Sequence, residues 1–522
     1  MTSVAFIRRI GGALVGGALV GGALVGSALV SSALVGLAPI LLPPAPLAAQ
    51  TSNVLRFTPE RLAGIQKDED IIASLKTRQS EVDGWLAQDT LRLDLGRSTQ
   101  IAMENATQIQ LSSDTLRLSG ISVLESYGRF LPSVTTTVAG FNDQGTALLS
   151  STSLIPANAH YYGLGYTLSA GVNLFNGFRD RDHLRATVQS RAAAFSAFDR
   201  ALQQVSFDVT QAFFQVVLDR RLVSVAQGNL ALSQERERQI TEEVNVGTKA
   251  PPDMYRQQAQ TRADEVGVID AQNRQRDDEA GLLRRLEVDP LKPFTLGEPP
   301  ADTTFIPADS LHVDRLIDAA VRARPDLTAA QEREQADQHE LDAAHGEVLP
   351  KLNFRFDYLT NSRIFGHEVV NGVDQLTTPQ QSLGRQLGTQ GVGQVSLGLS
   401  WDVFDDYRAR LDAQKAEAAA DRDKMTTKDL QLRIHGEVQQ AVGDYKSAEQ
   451  KLASTAAGLT SAQEAFDAMQ GRYDVGLASF VDVISAQTAL TQSRNLREEA
   501  LINFALQKAV LRYVTGAPPS GR

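Results

Sequence analysis

An internal duplication constrains the fold of this chain more than any other feature. The matching blocks are residues 174–181 (LFNGFRDR) with 403–410 (VFDDYRAR), 245–247 (NVG) with 474–476 (DVG), and 131–132 (LP) with 349–350 (LP). The first two pairs share a spacing of 229 residues, and the third pair has a spacing of 218. One length difference therefore separates otherwise collinear halves. The sequence predicts two copies of one structural unit.

Each copy carries the same order of predicted elements. These are a first helix (97–130 and 312–348), two strands, a descending helix (179–246 and 408–475) and a returning helix (254–286 and 480–514). The descending and returning segments contain no proline and are rich in Ala, Gln, Glu and Arg. Such long uninterrupted segments predict a coiled-coil-like bundle, because globular helices average only about 11–12 residues. The fold class is therefore mainly α with a transmembrane β part.

The strand segments alternate apolar and polar side chains, most regularly at 164–174, 351–358 and 395–403. This alternation is typical of membrane-barrel strands, although an ordinary half-buried antiparallel sheet gives the same pattern. In the barrel interpretation, the lumen-facing set is Lys351, Asn353, Arg355, Asp357, Ser396, Ser400 and Asp402. The lipid-facing set is Leu352, Phe354, Phe356, Val395, Leu397, Leu399 and Trp401. Residues 142–160 and 361–392 are predicted to be loops.

The number of strands sets the smallest assembly that can form a channel. Four strands cannot close a barrel, and an open sheet edge is not tolerated in lipid. Two chains would give eight strands, a barrel that its own side chains fill. Three chains give twelve strands and an aqueous lumen. If the strands span a membrane, we therefore expect a homotrimer.

The N-terminal residues have the three parts of an export signal. Arg8 and Arg9 precede residues 10–42, which contain no charged side chain and are built on GGALV-type repeats. Small residues around Ala49 then suit signal peptidase. A retained membrane helix is the competing interpretation of this long apolar run. The predicted domains are a signal peptide (1–49), a polar segment (50–89), a first repeat (90–289), a Pro-rich linker (290–311), a second repeat (312–516) and a tail (517–522).

Composition excludes several classes of protein. The chain of 522 residues has no cysteine, which excludes disulfides, thiolate metal sites and an N-terminal lipid-linked cysteine. A formal charge of −11 argues against nucleic-acid binding. A charged fraction of 22% argues against a bundle of membrane helices.

No catalytic motif is present in the sequence. His339-Glu340 begins like a zinc-binding HExxH helix, but Ala343 stands where the second histidine is needed. The acidic run 277–279 is predicted to be a solvated helix face. We therefore expect neither enzymatic activity nor a metal or other cofactor.

These features together closely resemble the TolC-like outer-membrane factor family of efflux and secretion ducts. The resemblance is carried by the Leu-Pro pairs, by Phe175 and Phe404 at the strand-to-helix junctions, and by residues 472–483 (RYDVGLASFVDV) followed by Ala486-Gln487. It implies a trimeric twelve-stranded barrel in the outer membrane, continued by a long α-helical barrel through the periplasm. It also implies a periplasmic adaptor (membrane fusion) protein and an inner-membrane transporter of the RND, ABC or MFS type.

The resemblance also implies a gate at the ends of the helical hairpins. Tyr473, Asp253 and Asp482 fall on positions that resemble gate residues of the family. Ser485 and Ala478 stand where a second acidic and a basic gate residue would be, so Lys249 or Arg472 is expected to supply the cation. The expected adaptor-facing tips are Val246, Gly247 and Thr248 in the first hairpin, and Val475, Gly476 and Leu477 in the second.

The leading functional hypothesis is therefore an outer-membrane exit duct for small molecules. A duct for secreted proteins is a related alternative. A periplasmic coiled-coil scaffold without a pore is an alternative from a different class.

Overall fold

The computed structural model describes residues 82–150, 153–297, 307–370, 373–374 and 382–518. The predicted signal peptide, residues 50–81, residues 298–306 of the linker and residues 519–522 of the tail lie outside this part. In chain order, the elements are β1 (Leu91–Leu93), α1 (Leu95–Asn105), α2 (Thr107–Gly128), β2 (Ser133–Ser150), β3 (Ser153–Asn176), α3 (Arg179–Asn245), α4 (Pro251–Arg285), β4 (Phe294–Leu296), α5 (Val313–Ala323), α6 (Pro325–His345), β5 (Lys351–Val370), β6 (Val373–Asp374), α7 (Leu383–Thr389), β7 (Val392–Ser400), α8 (Arg408–Asp474) and α9 (Phe480–Val514).

The chain divides into two compact units. A strand unit comprises Gly128–Gly177 and Leu349–Asp402, and a helical unit comprises the other described residues. Each unit contains segments from both sequence repeats. The fold is therefore mainly helical with a separate sheet, as the sequence predicts.

Two long helical hairpins dominate the helical unit. Helices α3 and α8 have 67 residues each, and α4 and α9 have 35 each. At 1.5 Å per residue, α3 is about 100 Å long. The predicted long hairpins are confirmed. Helix α4 begins before the predicted residue 254 because Pro251 and Pro252 form part of its first turn. The N–H groups of a first turn make no hydrogen bond within the helix, so proline, which lacks the N–H, is tolerated there.

The first helix of each repeat is broken, so the predicted single helices 97–130 and 312–348 are wrong. The break falls at equivalent residues, Ala106 and Arg324, whose backbones have ψ of 122° and 118°. In the second repeat, Pro325 forces its predecessor out of the helical region. The first repeat has no such proline. There, Glu287 starts the new helix by accepting hydrogen bonds from the Thr107 N–H (2.7 Å) and hydroxyl (2.8 Å).

The predicted linker is also more ordered than expected. Its residues 294–296 form β4, which pairs in parallel with β1. Behind this pair lies the largest hydrophobic cluster, in which Val82, Leu91 and Leu282 are completely buried or nearly so. Sequence patterning missed these elements because two three-residue strands are too short to show a period.

The strand unit is one antiparallel sheet whose four main strands lie in the order β2-β3-β5-β7, and the two-residue β6 pairs with the far end of β5. The predicted loop 142–160 is wrong, since β2 and β3 continue to pair as far as Ser150 and Ser153. Likewise β5 runs on to Val370, and α7 lies within the second predicted loop, 361–392. Backbone pairing sustains these strand ends although their side chains do not alternate.

Beyond the end of β7, a side chain protects the backbone of β5. The Gln386 amide donates to the Arg363 carbonyl and accepts from the Arg363 N–H, both at 2.8 Å. The Thr360 hydroxyl also donates to the Leu387 carbonyl at 3.0 Å. Helix α7 thus replaces the missing neighbour of β5, which avoids an open edge there.

Strand register separates the polar and apolar side chains. Lys351 lies opposite Ser400, Arg355 opposite Ser396, and Asp357 opposite Gln394. Directly opposed residues of an antiparallel pair point to the same face. The residues predicted to face a lumen on β5 and β7 therefore share one face, and the predicted lipid-facing residues share the other. On that second face Val395, Leu397 and Leu399 are 61–72% exposed.

No described helix combines the length and apolar composition needed to cross a membrane.

One polar contact inside the first hairpin depends on pH. Asp219 of α3 is 5% exposed, and burial beside the Asp278 carboxyl of α4 raises its pKa to about 7. The Gln215 amide of α3 donates to one oxygen of the Asp219 carboxyl at 3.4 Å. This hydrogen bond and the positive charge of Arg274 of α4 both oppose the rise in the pKa of Asp219. The expectation that 277–279 is a solvated face is therefore wrong for Asp278, and also for Glu279, which pairs with Arg220 at 2.8 Å.

We predict that Asp219 makes the stability of the helical unit fall as pH rises from about 4 to about 7. Between its ordinary pKa of 3.8 and its folded pKa of about 7, the folded state binds more protons than the unfolded state. Asp219→Asn should remove this slope and stabilise the protein at pH 8 by roughly 1–2 kcal/mol, allowing for partial solvent screening. Thermal melting followed by circular dichroism measures both effects. Asp277→Asn, at an exposed neighbouring residue, should keep the wild-type slope, and a slope that survives Asp219→Asn would refute the assignment.

Candidate gate at the helix-hairpin ends

The turns of the two long hairpins have the same backbone geometry. Gly247 and Gly476 adopt positive φ values of 82° and 76°, which side chains disfavour. The N–H groups of Thr248 and Leu477 reach back to the Glu243 and Arg472 carbonyls at 2.9 and 2.7 Å. These bonds end α3 and α8 in the left-handed cap typical of glycine. Three side chains of the two turns extend into solvent, namely Val246 (75% exposed), Val475 (69%) and Leu477 (70%).

The returning helices start in different ways. Ser479 and Asp482 form a capping box at the start of α9. The Asp482 carboxylate accepts from the Ser479 N–H at 3.0 Å and from its hydroxyl at 2.7 Å. In the first repeat, the position of Ser479 is occupied by Ala250, which offers no side-chain cap. The Asp253 carboxylate is therefore available for other partners.

Asp482 is an exposed and stably ionised carboxylate. The hydrogen bonds from Ser479 lower its pKa, and the charge of Arg472 adds to this effect. Arg472 thus acts electrostatically on Asp482 of its own hairpin.

Three of the predicted gate residues meet across the two hairpins. Tyr473 of α8 is 7% exposed, and its hydroxyl donates to the Asp253 carboxylate at 3.4 Å. Lys249 places its ammonium 3.8 Å from the centre of the Tyr473 ring and donates to the Tyr473 carbonyl at 3.3 Å. Arg256 approaches the second Asp253 oxygen at 3.4 Å. Of the two cations expected from the sequence, Lys249 lies at this contact, where Arg256 is a further cation.

The environment of Tyr473 keeps its hydroxyl protonated. Burial raises the pKa of Tyr473 to about 12, and the nearby carboxylates of Asp253 and Glu243 add to the rise. The phenol therefore remains a hydrogen-bond donor at neutral pH. Phe480, whose ring centre is 5.5 Å away, supports the Tyr473 ring from the start of α9.

Sequence analysis missed a buried polar layer that also joins the hairpins. Arg236 of α3 is 7% exposed, donates to the Gln487 amide oxygen at 2.6 Å and lies 5.1 Å from the Phe466 ring centre. The Gln487 amide then donates to the Ser233 hydroxyl at 3.1 Å. The available signal was the run Asn229, Ser233 and Arg236, which places polar side chains three and four residues apart on one helical face.

The predicted lumen residues of the strand unit form two polar links. Asp357 accepts from the Ser169 hydroxyl at 2.6 Å and from the Arg355 guanidinium at 2.8 Å. Lys351 approaches Asp402 at 3.7 Å. Among the described residues of the whole chain, no three His, Asp or Glu side chains come together as metal ligands.

Residues 316–517 match the outer membrane efflux protein family. Among characterised proteins, Protein CyaE of Bordetella pertussis is 22% identical over 339 residues, which are 65% of this chain and 67% of CyaE.

The fold is that of TolC-like outer-membrane factors. The outer-membrane channel OprN superposes with a TM-score of 0.68 at 19% identity, covering 81% of this chain and 90% of OprN. The outer membrane protein VceC of Vibrio cholerae gives a TM-score of 0.70 at 14% identity, covering 81% of this chain and 96% of VceC. The CmeC outer membrane channel of Campylobacter jejuni gives 0.69 at 15% identity, covering 82% of this chain and 86% of CmeC.

We predict that Tyr473→Phe loosens the hairpin ends without disturbing the core. The variant keeps the ring but loses the hydrogen bond to Asp253, worth about 1 kcal/mol. Hydrogen exchange of residues 246–257, followed by mass spectrometry, should quicken about fivefold. The control is Tyr255→Phe, at a tyrosine that is 64% exposed, and it should leave exchange unchanged. Equal exchange in both variants and the wild type would contradict the link.

Proposed function

Because residues 316–517 carry the outer membrane efflux protein domain on the fold of TolC-like outer-membrane factors, we propose that this chain is one subunit of an outer-membrane exit duct. Three copies build the duct, which extends through the periplasm. The observation that carries this proposal is the sheet formed by the four main strands β2, β3, β5 and β7, which has one polar face, one apolar face and two edges. Within the described residues, β2 pairs only with β3, and β7 pairs only with β5.

The free edges are the physical reason for the trimer. A strand edge facing lipid leaves N–H and C=O groups without partners, at several kcal/mol each. Pairing β7 of one copy with β2 of the next satisfies both edges with no further segment. Three copies close a twelve-stranded barrel with room for an aqueous lumen. Leu397 and Leu399 then face lipid, while Lys351, Arg355, Asp357 and Asp402 line the lumen.

At the periplasmic end, the hairpin contacts supply the gate. The contacts among Lys249, Tyr473 and Asp253 hold the two hairpins of each chain together. The positive charge of Arg472 helps to keep Asp482 ionised. Three chains place three Asp482 carboxylates and three Asp253 carboxylates around one mouth. Such a ring favours cations. The exposed turns 246–248 and 475–477 are the surfaces that meet the periplasmic adaptor.

The duct is passive in this proposal. Substrates are handed over by an inner-membrane transporter of the RND, ABC or MFS type together with the adaptor. Export of small molecules is the leading form of this proposal, and secretion of proteins is the alternative. A pore-free scaffold does not account for the apolar face of β7, whose three outward leucine and valine side chains are mostly exposed.

The test of the duct is electrical and hydrodynamic. The full-length protein, purified in detergent, should run as a heat-modifiable trimer and give single-channel steps in a planar bilayer. The variant Asp357→Leu replaces a charged side chain on the predicted lumen face by an apolar one. It should remain a trimer, and bilayer recordings should show a change in its cation selectivity. A monomer without steps would instead identify a scaffold.

We predict that Asp482→Ala weakens block of the channel by Mg²⁺ about tenfold, because a divalent ion loses the attraction of the nearest carboxylate. The matched control is Ser479→Ala. It breaks the same capping box but keeps the carboxylate, so it should lower the stability of the α9 terminus by about 1 kcal/mol and leave the block unchanged. Titration of single-channel current with MgCl₂ measures the block. If Mg²⁺ blocks Asp482→Ala and the wild type equally, Asp482 does not lie at the mouth of the channel.

A further inference from the structure

A cavity of about 740 Å³ lies in the helical unit between α3 and α9. The start of α1 and the tail residues Ala517 and Pro518 close further sides of it. Along α9 the cavity extends from Leu501 to Tyr513, which is about 18 Å at 1.5 Å per residue. Sites for small molecules generally measure about 300–1,000 Å³, so this cavity has the size of a ligand site.

Apolar side chains form most of the cavity wall. At one end the Phe207 ring stacks on the Tyr513 ring, with ring centres 4.5 Å apart. The Arg200 guanidinium also contacts the Tyr513 ring, 4.1 Å from its centre. Farther along the wall, Phe214 and Ile502 are 7% and 6% exposed. A wall of this composition favours a hydrocarbon chain.

All charged residues that line the cavity are cations, namely Arg221, Lys508 and Arg512. Arg221 pairs with Glu498 at 2.9 Å, and Glu498 does not line the cavity. Lys508 and Arg512 are four residues apart and therefore lie on one face of α9. Within the part of the chain that the structure describes, the Arg512 side chain forms no ion pair or hydrogen bond. The cavity is therefore positively charged and favours an anion.

A buried hydroxyl group without a partner also lines the cavity. Ser206 is 6% exposed, and among the described residues its hydroxyl has no hydrogen-bond partner. The polar side chains beside it are already bonded. The Thr210 hydroxyl donates to the Ser206 carbonyl at 2.7 Å, and the Gln203 amide donates to the tail at 3.1 Å. A buried donor left unpaired is unfavourable, so Ser206 favours a ligand that carries a hydrogen-bond acceptor.

The groups that suit an anion lie at one end of the cavity. Helices α3 and α9 run antiparallel, and the stacked rings of Phe207 and Tyr513 lie at one level. Ser206 and Arg512 are the sequence neighbours of these two residues and therefore lie at the same level. The opposite end, at Leu501, is about 18 Å away along α9. The cavity thus combines a positively charged end with an apolar body.

These wall residues are specific to one place in the duplicated chain. At the spacing of 229, Phe207 and Phe214 correspond to Gly436 and Gly443 of α8. Arg512 corresponds to residue 283 of α4, a leucine that is 1% exposed in the largest hydrophobic cluster. Neither the aromatic wall nor the cation is therefore a property of the repeated scaffold.

We propose that this cavity binds a long-chain carboxylate with a single acyl chain, such as a fatty acid. The carboxylate lies at the positive end, where it accepts hydrogen bonds from Arg512 and from the Ser206 hydroxyl. Hydrogen bonds between ionised groups are stronger than neutral ones. The acyl chain lies along Phe207 and Phe214 toward Leu501. A length of about 18 Å suits one such chain, because each leaflet of a bilayer core is about 15 Å thick.

A bound molecule of this kind contacts α1, α3, α9 and the tail, and therefore connects the two repeats. Because it binds the folded helical unit, it stabilises that unit. All the lining residues belong to one chain. The inference therefore does not depend on the proposed duct.

Photolabelling locates the ligand in the full-length protein. The protein is purified in an uncharged detergent and irradiated with a palmitate that carries a diazirine in its acyl chain. Mass spectrometry of the digested protein should find the label within residues 203–221 and 501–518. Label confined to other residues, for example to the apolar face of β7, would overturn the proposal.

Competition identifies the chemical class of the ligand. Unlabelled palmitate should suppress the labelling at about tenfold lower concentration than hexadecanol, which has the same chain without the carboxylate. Phosphatidylglycerol carries a negative charge but two acyl chains, and it should also compete poorly. Equal competition by hexadecanol, or stronger competition by phosphatidylglycerol than by palmitate, would overturn the proposal.

Variants test the groups that the proposal names. Arg512→Gln should weaken palmitate binding about tenfold, because it removes a charge-assisted hydrogen bond, and Arg512→Lys should restore most of the affinity. Ala509→Trp places a large side chain in the cavity and should abolish binding. The matched control is Arg433→Gln, at a 60% exposed arginine of α8 outside the cavity. It should bind palmitate as the wild type does.

Thermal melting separates loss of binding from misfolding. Without palmitate, the variants should melt as the wild type does. Palmitate should raise the melting temperature of the wild type and of Arg433→Gln, and not that of Ala509→Trp. If Ala509→Trp is unstable, the contrast between Arg512→Gln and Arg512→Lys still decides, and equal binding by Arg512→Gln and the wild type would overturn the proposal. Trimer formation and channel steps are measured separately, so this failure would leave the duct standing.

Discussion

The need to pair every backbone group of the sheet is the constraint on which the proposed assembly depends. A single chain contributes four main strands, and the register of β5 with β7 places the polar side chains of both strands on one face. The apolar face suits lipid only if the edges β2 and β7 are also paired. The first repeat supplies β2 and β3, and the second supplies β5 and β7, so pairing of β3 with β5 joins the repeats. In the proposed barrel, further copies continue this antiparallel strand pairing until the sheet closes.

Duplication gives both halves the same scaffold, and divergence at a few positions gives them different tasks. Both turns use a left-handed glycine, and both returning helices carry an acid three residues inside the turn-to-helix boundary. In the second repeat the acid is Asp482, which accepts hydrogen bonds from Ser479 in the capping box. In the first repeat the acid is Asp253, free of a cap, and the phenol of Tyr473 reaches it from the other hairpin. Where no capping serine is present, the carboxylate makes a contact between the hairpins instead of capping its own helix.

Much of this architecture could be read from the sequence because its signals are long. The proline-free run 480–514 predicts both ends of α9 correctly. The alternation of apolar and polar residues around Phe354 and Leu397 predicts which side chains of β5 and β7 share a face. The errors arose where tertiary contacts replace local signals. The break at Ala106 is made by Glu287, distant in sequence, and β1 with β4 exist only because each pairs with the other. At the hairpin ends, the sequence offered Lys249 and Arg472 as equal sources of a cation, and only the packing of Lys249 against the Tyr473 ring distinguishes them.

The duplication also explains why the buried polar layer joins α3 to α9 and is not repeated in the second half of the chain. Buried arginine is costly unless it is hydrogen-bonded, and Arg236 obtains its partner from Gln487 of the other hairpin. Its counterpart, Ala465, removes both the charge and the need for a partner. Because both partners belong to one chain, the chain folds with these buried polar groups already hydrogen-bonded.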